Sequence, residues 1–186
     1  MNKKLIYIIA GIVLVGLLVW GGLQLALKNT KKHSPAEEVT HAIQDVNIKV
    51  KYCRPFKKGR LIFGEEADGA LQPYGKYWRV GANEATEITV NKDVVFGGKP
   101  LSAGQYVVYA YPGETTWKIG LNSELGRWGY QEVDHSKDVL QVSVPAGNSS
   151  QEIEQFTITF SGADSLAFMN LLWDKTKVSV PIEPAE

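Results

Sequence analysis

Acidic residues are missing from the first 36 positions, although Lys3, Lys4, Lys28, Lys31 and Lys32 all fall within the first 32. The zero formal net charge therefore hides an acidic remainder. From His33 onward fifteen bases face twenty acids, a net of −5. Such a body lacks the basic face that a nucleic-acid backbone requires, so no nucleic-acid partner is expected. Cysteine is nearly absent. Cys53 stands alone, which excludes an intrachain disulfide and leaves the redox compartment open. Histidine is scarce too: His33 and His41 precede the strand-rich region, and His135 sits in the polar stretch VDHSK. That scatter points to no metal site and to a solvated His135. The strings HExxH, CxxC, GxSxG and GxxxxGKS/T are all missing, so neither a cofactor nor a catalytic motif is expected.

One long hydrophobic run is present. Leu5 to Leu27 is 23 residues without a charge. As a helix it spans about 34 Å, enough for a hydrocarbon core of ~30 Å. Tyr7 and Trp20 lie towards its two ends, where amphipathic rings favour the interface. A cleaved signal peptide has a shorter apolar region, ~7–15 residues, ending in an Ala-x-Ala-like site. This run instead ends Leu25-Ala26-Leu27-Lys28 and reads as an uncleaved signal anchor. The flanking lysines balance, a short leading tail usually stays inside, and long domains translocate largely regardless of charge. The expected setting is a single-pass inner-membrane protein with its soluble part in the periplasm.

Lys28 to His33 reads as a polar juxtamembrane spacer. Ser34-Pro35-Ala36-Glu37 then matches a capping box, which predicts a short helix to about Ile43. From Asp45 the period becomes two. Val46, Ile48, Val50 and Tyr52 alternate with polar residues and Cys53, and Thr86, Ile88 and Val90 repeat the pattern, as half-buried strands do. Asp93 to Phe96 leads into a Gly97-Gly98 hairpin turn. Gln105–Tyr111 and a return strand with Trp117, Ile119 and Leu121 flank a Pro112-Gly113 turn. Leu140, Val142 and Val144 form one more strand, Phe156, Ile158 and Phe160 another, and Val178, Val180 and Ile182 the last. Pro145 to Ser150 (PAGNSS) reads as a polar loop, and Leu166–Trp173, apolar on both parities, as a covered strand. Eight or nine short strands with little helix predict an all-β fold. It is an antiparallel β-sandwich or jelly roll behind one transmembrane helix. The implied boundaries are a tail at 1–4, a span at 5–27, a linker at 28–44, the β-sandwich at 45–183 and a tail at 184–186.

Two polar clusters stand out. In Arg54-Pro55-Phe56-Lys57-Lys58-Gly59-Arg60 four cations fall within seven residues and could clamp a carboxylate or phosphate. In Pro73-Tyr74-Gly75-Lys76-Tyr77-Trp78-Arg79-Val80-Gly81-Ala82-Asn83-Glu84-Ala85-Thr86, Trp78 offers an apolar platform and Arg79 a planar fork of donors. Gly81 permits close approach, and Asn83 tolerates a left-handed turn. The candidate ligand-binding residues are therefore Arg54, Arg60, Trp78, Arg79, Asn83, Glu84 and Thr86. The same residues also suit a structural corner, with Arg79 or Arg54 pairing Glu84 and Trp78 filling the core.

These clusters carry a resemblance. YCRPFKKGRLIFG, then PYGKYWRVGANEAT, a strand, LSAGQY and a Pro-Gly hairpin resemble the bacterial family known as domain of unknown function 2911, from about Val46 to Ile182. Its motif positions match at Arg54, Pro55, Gly59, Arg60, Trp78, Arg79, Gly81, Asn83, Glu84 and Thr86. Cys53 stands where the family leads one to expect Ser, and Glu65-Glu66-Ala67-Asp68 reads as extra loop. The resemblance implies an exported bacterial protein. It implies no activity, so no catalytic residue is carried over.

Three functions remain open on these residues. The first is a membrane-tethered binding module for a small molecule, sugar or peptide, using aromatics (Trp78, Tyr109, Trp117, Trp128) and the Arg pair. The second is an envelope scaffold in which both clusters only stabilise the sandwich. The third is a hydrolase pairing Glu84 with a second carboxylate such as Glu65 or Glu66, as glycoside hydrolysis requires.

Overall fold

The computed structural model describes residues 2–185. Met1 and Glu186, assigned above to the two tails, and the side chains of Leu5 and Leu27 at the ends of the span and of Lys28 and Asn29 in the spacer lie outside the described residues. The chain divides after His33 into two units.

The first unit is a single helix, α1 (Lys3–His33). No proline interrupts it, and leucine, glycine and valine make up most of its middle. Its described apolar side chains, from Ile6 to Leu25, are exposed on all sides, which suits lipid rather than a protein neighbour. Residues 6–33 form a segment long and apolar enough to cross a membrane. The helix continues through the polar spacer to His33. Lys31, Lys32 and His33 occupy the last turn, where cations complement the negative end of the helix dipole.

The second unit begins at Ser34. Its strands in chain order are β1 (Ala36–Ile43), β2 (Val46–Cys53), β3 (Phe63–Gly64), β4 (Gln72–Pro73), β5 (Thr86–Val90), β6 (Val94–Phe96), β7 (Lys99–Leu101), β8 (Gly104–Tyr111), β9 (Thr116–Asn122), β10 (Asp138–Ala163) and β11 (Leu166–Pro184). They form an antiparallel β-sandwich. One sheet runs β1-β2-β5-β8-β9-β10, and the order continues β10-β11-β6-β7 into the other. Strand β10 serves both: Asp138–Pro145 pairs with β9, and Ala146–Ala163 pairs with β11 through two register shifts. Strands β3 and β4 make a separate two-residue parallel pair.

The alternation read from the sequence selects the inner faces. Val50, Ile88, Val108 and Ile119 from the first sheet share one buried cluster with Ile158, Met169, Leu171 and Val180 from the second. Aromatic rings fill one part of it. Trp78 packs against Phe63, Trp117, Phe156 and Trp173 at centroid separations of 5.0–6.0 Å.

Two local expectations are corrected. The Ser34 capping box does not open a helix: residues 36–43 are strand β1, paired residue for residue with β2 from Ala36↔Cys53 to Ile43↔Val46. A helix this short is marginal on its own. The strand pairs its backbone and turns Glu37, Val39, His41 and Ile43 inward, with the His41 ring stacked on Phe160 at 5.2 Å. Likewise Pro145–Ser150 is not a loop but the part of β10 that passes from one sheet to the other, with Ala146, Gly147 and Asn148 opposite Val178, Lys177 and Thr176. Its small polar residues and the irregular pairing after Asn148 are what allow a continuous strand to bend there. Leu166–Trp173 is strand, the first half of β11.

Candidate functional site

The segment joining Trp78 to Thr86 folds into a tight corner against the end of β2. Thr86, fully buried at the start of β5, donates its hydroxyl to the Val80 carbonyl at 2.5 Å. Val80 takes a φ of 53° and Asn83 one of 57°. Left-handed backbone is uncommon outside glycine and is strained at a β-branched residue such as Val80. Gly81, at φ 141°, lies so close to β2 that a Cβ would meet the Cys53 carbonyl oxygen at 2.7 Å. Asn83 is buried and donates to the Ser34 carbonyl at 3.2 Å. Beyond it the chain pairs with the loop before β10: Gly129 N–H donates to Asn83 O at 3.0 Å, and Ala85 N–H to Arg127 O at 3.1 Å.

This pairing closes one side of an open groove of about 720 Å³. Ala36, Glu37 and Glu38 of β1, Lys51, Tyr52 and Cys53 of β2, and Glu84, Ala85 and Glu87 line it, with Gly126, Arg127 and Trp128 as the wall. Trp128 is 45 % exposed. Four glutamates are among the lining residues, Glu37 on the inward face of β1 and Glu38 on its outward face, and most are held in place. Glu37 pairs with Arg54 at 2.5 Å and Glu38 with Lys51 at 3.6 Å. Glu87 accepts from Gln105 Nε2 at 2.7 Å and Gly126 N–H at 2.9 Å. The Cys53 thiol lies 3.4 Å from Glu84 Oε2. Burial first, then Glu84, pushes that thiol up to about 11, so it stays protonated and is a poor nucleophile at neutral pH. Burial similarly lifts Tyr52 to about 12. Its hydroxyl accepts from Ile158 N–H at 2.9 Å and ties β2 to the second sheet.

Of the seven residues singled out from the sequence, Glu84 lines the groove. Arg54 stands just behind it. Its guanidinium pairs with Glu37 and donates to Phe156 O at 3.1 Å and Thr157 Oγ1 at 2.7 Å, linking β1 to β10. Arg60 turns back on its own loop, donating to Lys57 O at 2.9 Å and Phe56 O at 2.5 Å. Trp78 and Thr86 are interior, and Asn83 holds the corner. Arg79 lies beneath Gly129 with its guanidinium over the Tyr130 ring at 5.9 Å. Glu66 pairs with Lys76 at 3.2 Å instead of joining Glu84. Trp78, Tyr109 and Trp117 are buried, whereas Trp128 is open.

A second polar centre sits on the outer face of the first sheet, where His135, exposed as the sequence pattern has it, also makes hydrogen bonds. His135 Nδ1 lies 2.8 Å from Asp138 Oδ2, and its Nε2 lies 2.9 Å from the Tyr111 hydroxyl and 3.3 Å from Glu132. Tyr111 donates to Glu132. Tyr109 donates to Asp138 at 2.6 Å and accepts from Gln141 Nε2 at 2.6 Å. Hydrogen bonding to Asp138, reinforced by Glu132, raises the His135 pKa. Burial pushes Tyr109 and Tyr111 upward. This network fastens residues 132–138 to β8 and β10. The period-two placement of Tyr109 and Tyr111 on one strand was the available signal; their partners lie 21 to 32 residues away. Among the described residues no group of three or more His, Cys, Asp or Glu is placed to hold a metal ion.

Residues 34–182 match the family described as Protein of unknown function (DUF2911). The chain belongs to that family. No curated protein and no solved structure gives a match.

Proposed function

We propose, on the premise of that membership and of the apolar N-terminal helix, that the protein is a membrane-anchored binding module whose groove takes a small saccharide. Residues 5–27 serve as an uncleaved single-pass anchor in the inner membrane, and the β-sandwich from Ser34 onward stands on the periplasmic side. The resemblance noted from the sequence implies export, and a body of this size translocates largely regardless of flanking charge. The observation that carries the ligand reading is the wall and rim of the groove: one exposed indole, Trp128, beside carboxylates held by fixed partners. An indole face suits the apolar face of a sugar ring, and oriented carboxylates accept hydroxyl protons strongly. Glu84 and Glu87 are the hydroxyl acceptors in this reading, and Arg54 acts from behind by orienting Glu37.

The test is a fluorescence titration of the full chain in detergent with cellobiose, maltose and chitobiose. At least one sugar is expected to give a saturable change that is lost in Trp128→Phe and weakened in Glu84→Gln. A panel without response, or a response that survives Trp128→Phe, overturns the reading. Protease added outside intact spheroplasts should digest the β-body; protection of that body overturns the orientation.

The gathering of Glu37, Glu38, Glu84 and Glu87 in one groove supports a second reading, glycoside hydrolysis, which needs two carboxylates on either side of the scissile bond. Reducing-sugar release that disappears in Glu84→Gln distinguishes catalysis from binding alone.

A further inference from the structure

Five large apolar side chains are exposed in the β-body among the described residues, and three of them, Leu125, Trp128 and Tyr130, fall within six positions of the loop between β9 and β10. Tyr130 is 76 % exposed. From Leu125 to Gln131 this loop carries no carboxylate, and its one charge, Arg127, is mostly covered. Exposed apolar side chains gathered in this way mark a contact surface. The loop is also braced. Gly129 packs so closely on Arg79 that a Cβ would meet its Cδ at 2.7 Å, and the Arg79 guanidinium lies over the Tyr130 ring at 5.9 Å. Arg127 Nη2 donates to the carbonyls of Gln131 and Glu132, each at 2.9 Å, and Trp128 forms a strand bridge with Glu84. Side chains already fixed lose little further freedom when a partner covers them.

The place of the loop in the chain points to the partner. Gly129 N–H donates to Asn83 O at 3.0 Å, and the Asn83 side chain donates to Ser34 O at 3.2 Å. Two hydrogen bonds through one residue thus connect the loop to Ser34, the first residue of the body. A single peptide bond joins Ser34 to His33, the last residue of α1. Seven positions separate Ser34 from Leu27, where the uncharged run ends. Along a helix that is at most about 10 Å. Lipid head groups fill about 5–8 Å on each side of the hydrocarbon core. Ser34 therefore lies within a few ångström of the head-group layer of any bilayer that α1 crosses.

We propose that the loop from Leu125 to Tyr130 is a second membrane contact, in which Tyr130 and Leu125 settle among the head groups of the bilayer that α1 crosses. Trp128 stands at the boundary of this contact, since it also lines the groove. Tyrosine and tryptophan favour the head-group layer because each ring is apolar at one end and forms hydrogen bonds at the other. The acids that flank the loop are engaged within the protein: Glu124 pairs with Lys137 at 2.8 Å, and Glu132 accepts from Tyr111. The contact rests on the anchor reading above and not on the saccharide, so its test uses no sugar.

The full chain, in a Cys53→Ser background, is reconstituted into phosphatidylcholine vesicles with a fluorophore on Gln131→Cys or, for comparison, on Asp45→Cys. Both positions are exposed. Asp45 sits in the turn after β1, the length of an eight-residue strand from Ser34, about 25 Å. Quenching is read with vesicles whose lipids carry a nitroxide at the head group. Quenching at position 131 should exceed that at position 45 severalfold. Leu125→Glu combined with Tyr130→Glu should remove the excess at an unchanged melting midpoint, and Tyr130→Ser alone should reduce it. Equal quenching at the two positions, or an excess that survives the double substitution, overturns the proposal; no quenching at either leaves the apolar loop to a protein partner. Flotation of the chain with the vesicles separates the two readings. A chain that does not float overturns the anchor and this contact with it, whereas a chain that floats without quenching at position 131 overturns the contact alone.

Discussion

Gly81→Ala isolates the physics of the corner that presents Glu84. Two costs combine there. A φ of 141° is backbone that L-residues rarely adopt, worth about 1–3 kcal/mol. A Cβ would also sit 2.7 Å from the Cys53 carbonyl oxygen and 3.3 Å from Thr86 Oγ1. The first neighbour is backbone in a paired strand and cannot swing aside. Overpacking of this kind adds about 1–3 kcal/mol. The expected destabilisation is about 4 kcal/mol, which for a body of this size lowers the melting midpoint by about 8–16 °C. Gly75→Ala is the internal control. It too has a positive φ, 72°, but nothing lies within 4 Å of the place its new methyl group would take, so only the left-handed strain of about 1–2 kcal/mol applies. Urea unfolding of the two variants beside wild type reads the difference directly. If Gly81→Ala costs no more than Gly75→Ala, close approach to Cys53 is not what the corner depends on.

Removing Arg54 should cost about 2–3 kcal/mol, because Arg54→Ala leaves Glu37 without its cation and Thr157 without its donor; Arg54→Lys should not restore this, since it cannot reproduce the fork, and chemical denaturation measures both. His135 has a raised folded pKa, so its contribution is fully present below the ordinary histidine value and fades as pH rises through the folded value. Wild type should therefore lose stability over that alkaline window, and His135→Asn should flatten the slope in urea midpoints taken from about pH 5 to 9. In the acid direction, Tyr111 holds Glu132 low, and hydrogen bonds from Tyr109 and Asn122 outweigh burial at Asp138; their contribution is present above the unfolded carboxylate values and drains away as pH falls. Cys53 should resist iodoacetamide at neutral pH in the folded chain and react in urea, because the folded thiol titrates near about 11; rapid labelling of the folded chain would refute its burial.

Helical and strand signals compete at residues 34–43. Ser34, Pro35 and Glu37 satisfy local capping rules, yet Glu37, Val39, His41 and Ile43 also alternate, and pairing along the whole length of β2 decides for the strand. The polar stretch Pro145–Ser150 carries the letters of a loop, but neighbours on both sides supply ladders that turn it into the crossing of β10. At the candidate site, Glu84 and its corner were visible as an unusual string. Trp128 was among the candidate aromatics, but Glu37 and Glu38 were not visible as companions of Glu84, because they come from a strand that starts 48 positions before it.

Periodicity and composition alone determined the apolar leading helix, the acidic β-rich body and the inner faces of most strands, because burial of alternating side chains is written residue by residue. Tertiary structure decided which arginine meets which acid and which tryptophan stays open. Those outcomes depend on distances between segments that register and sheet crossing bring together, and no local pattern encodes them.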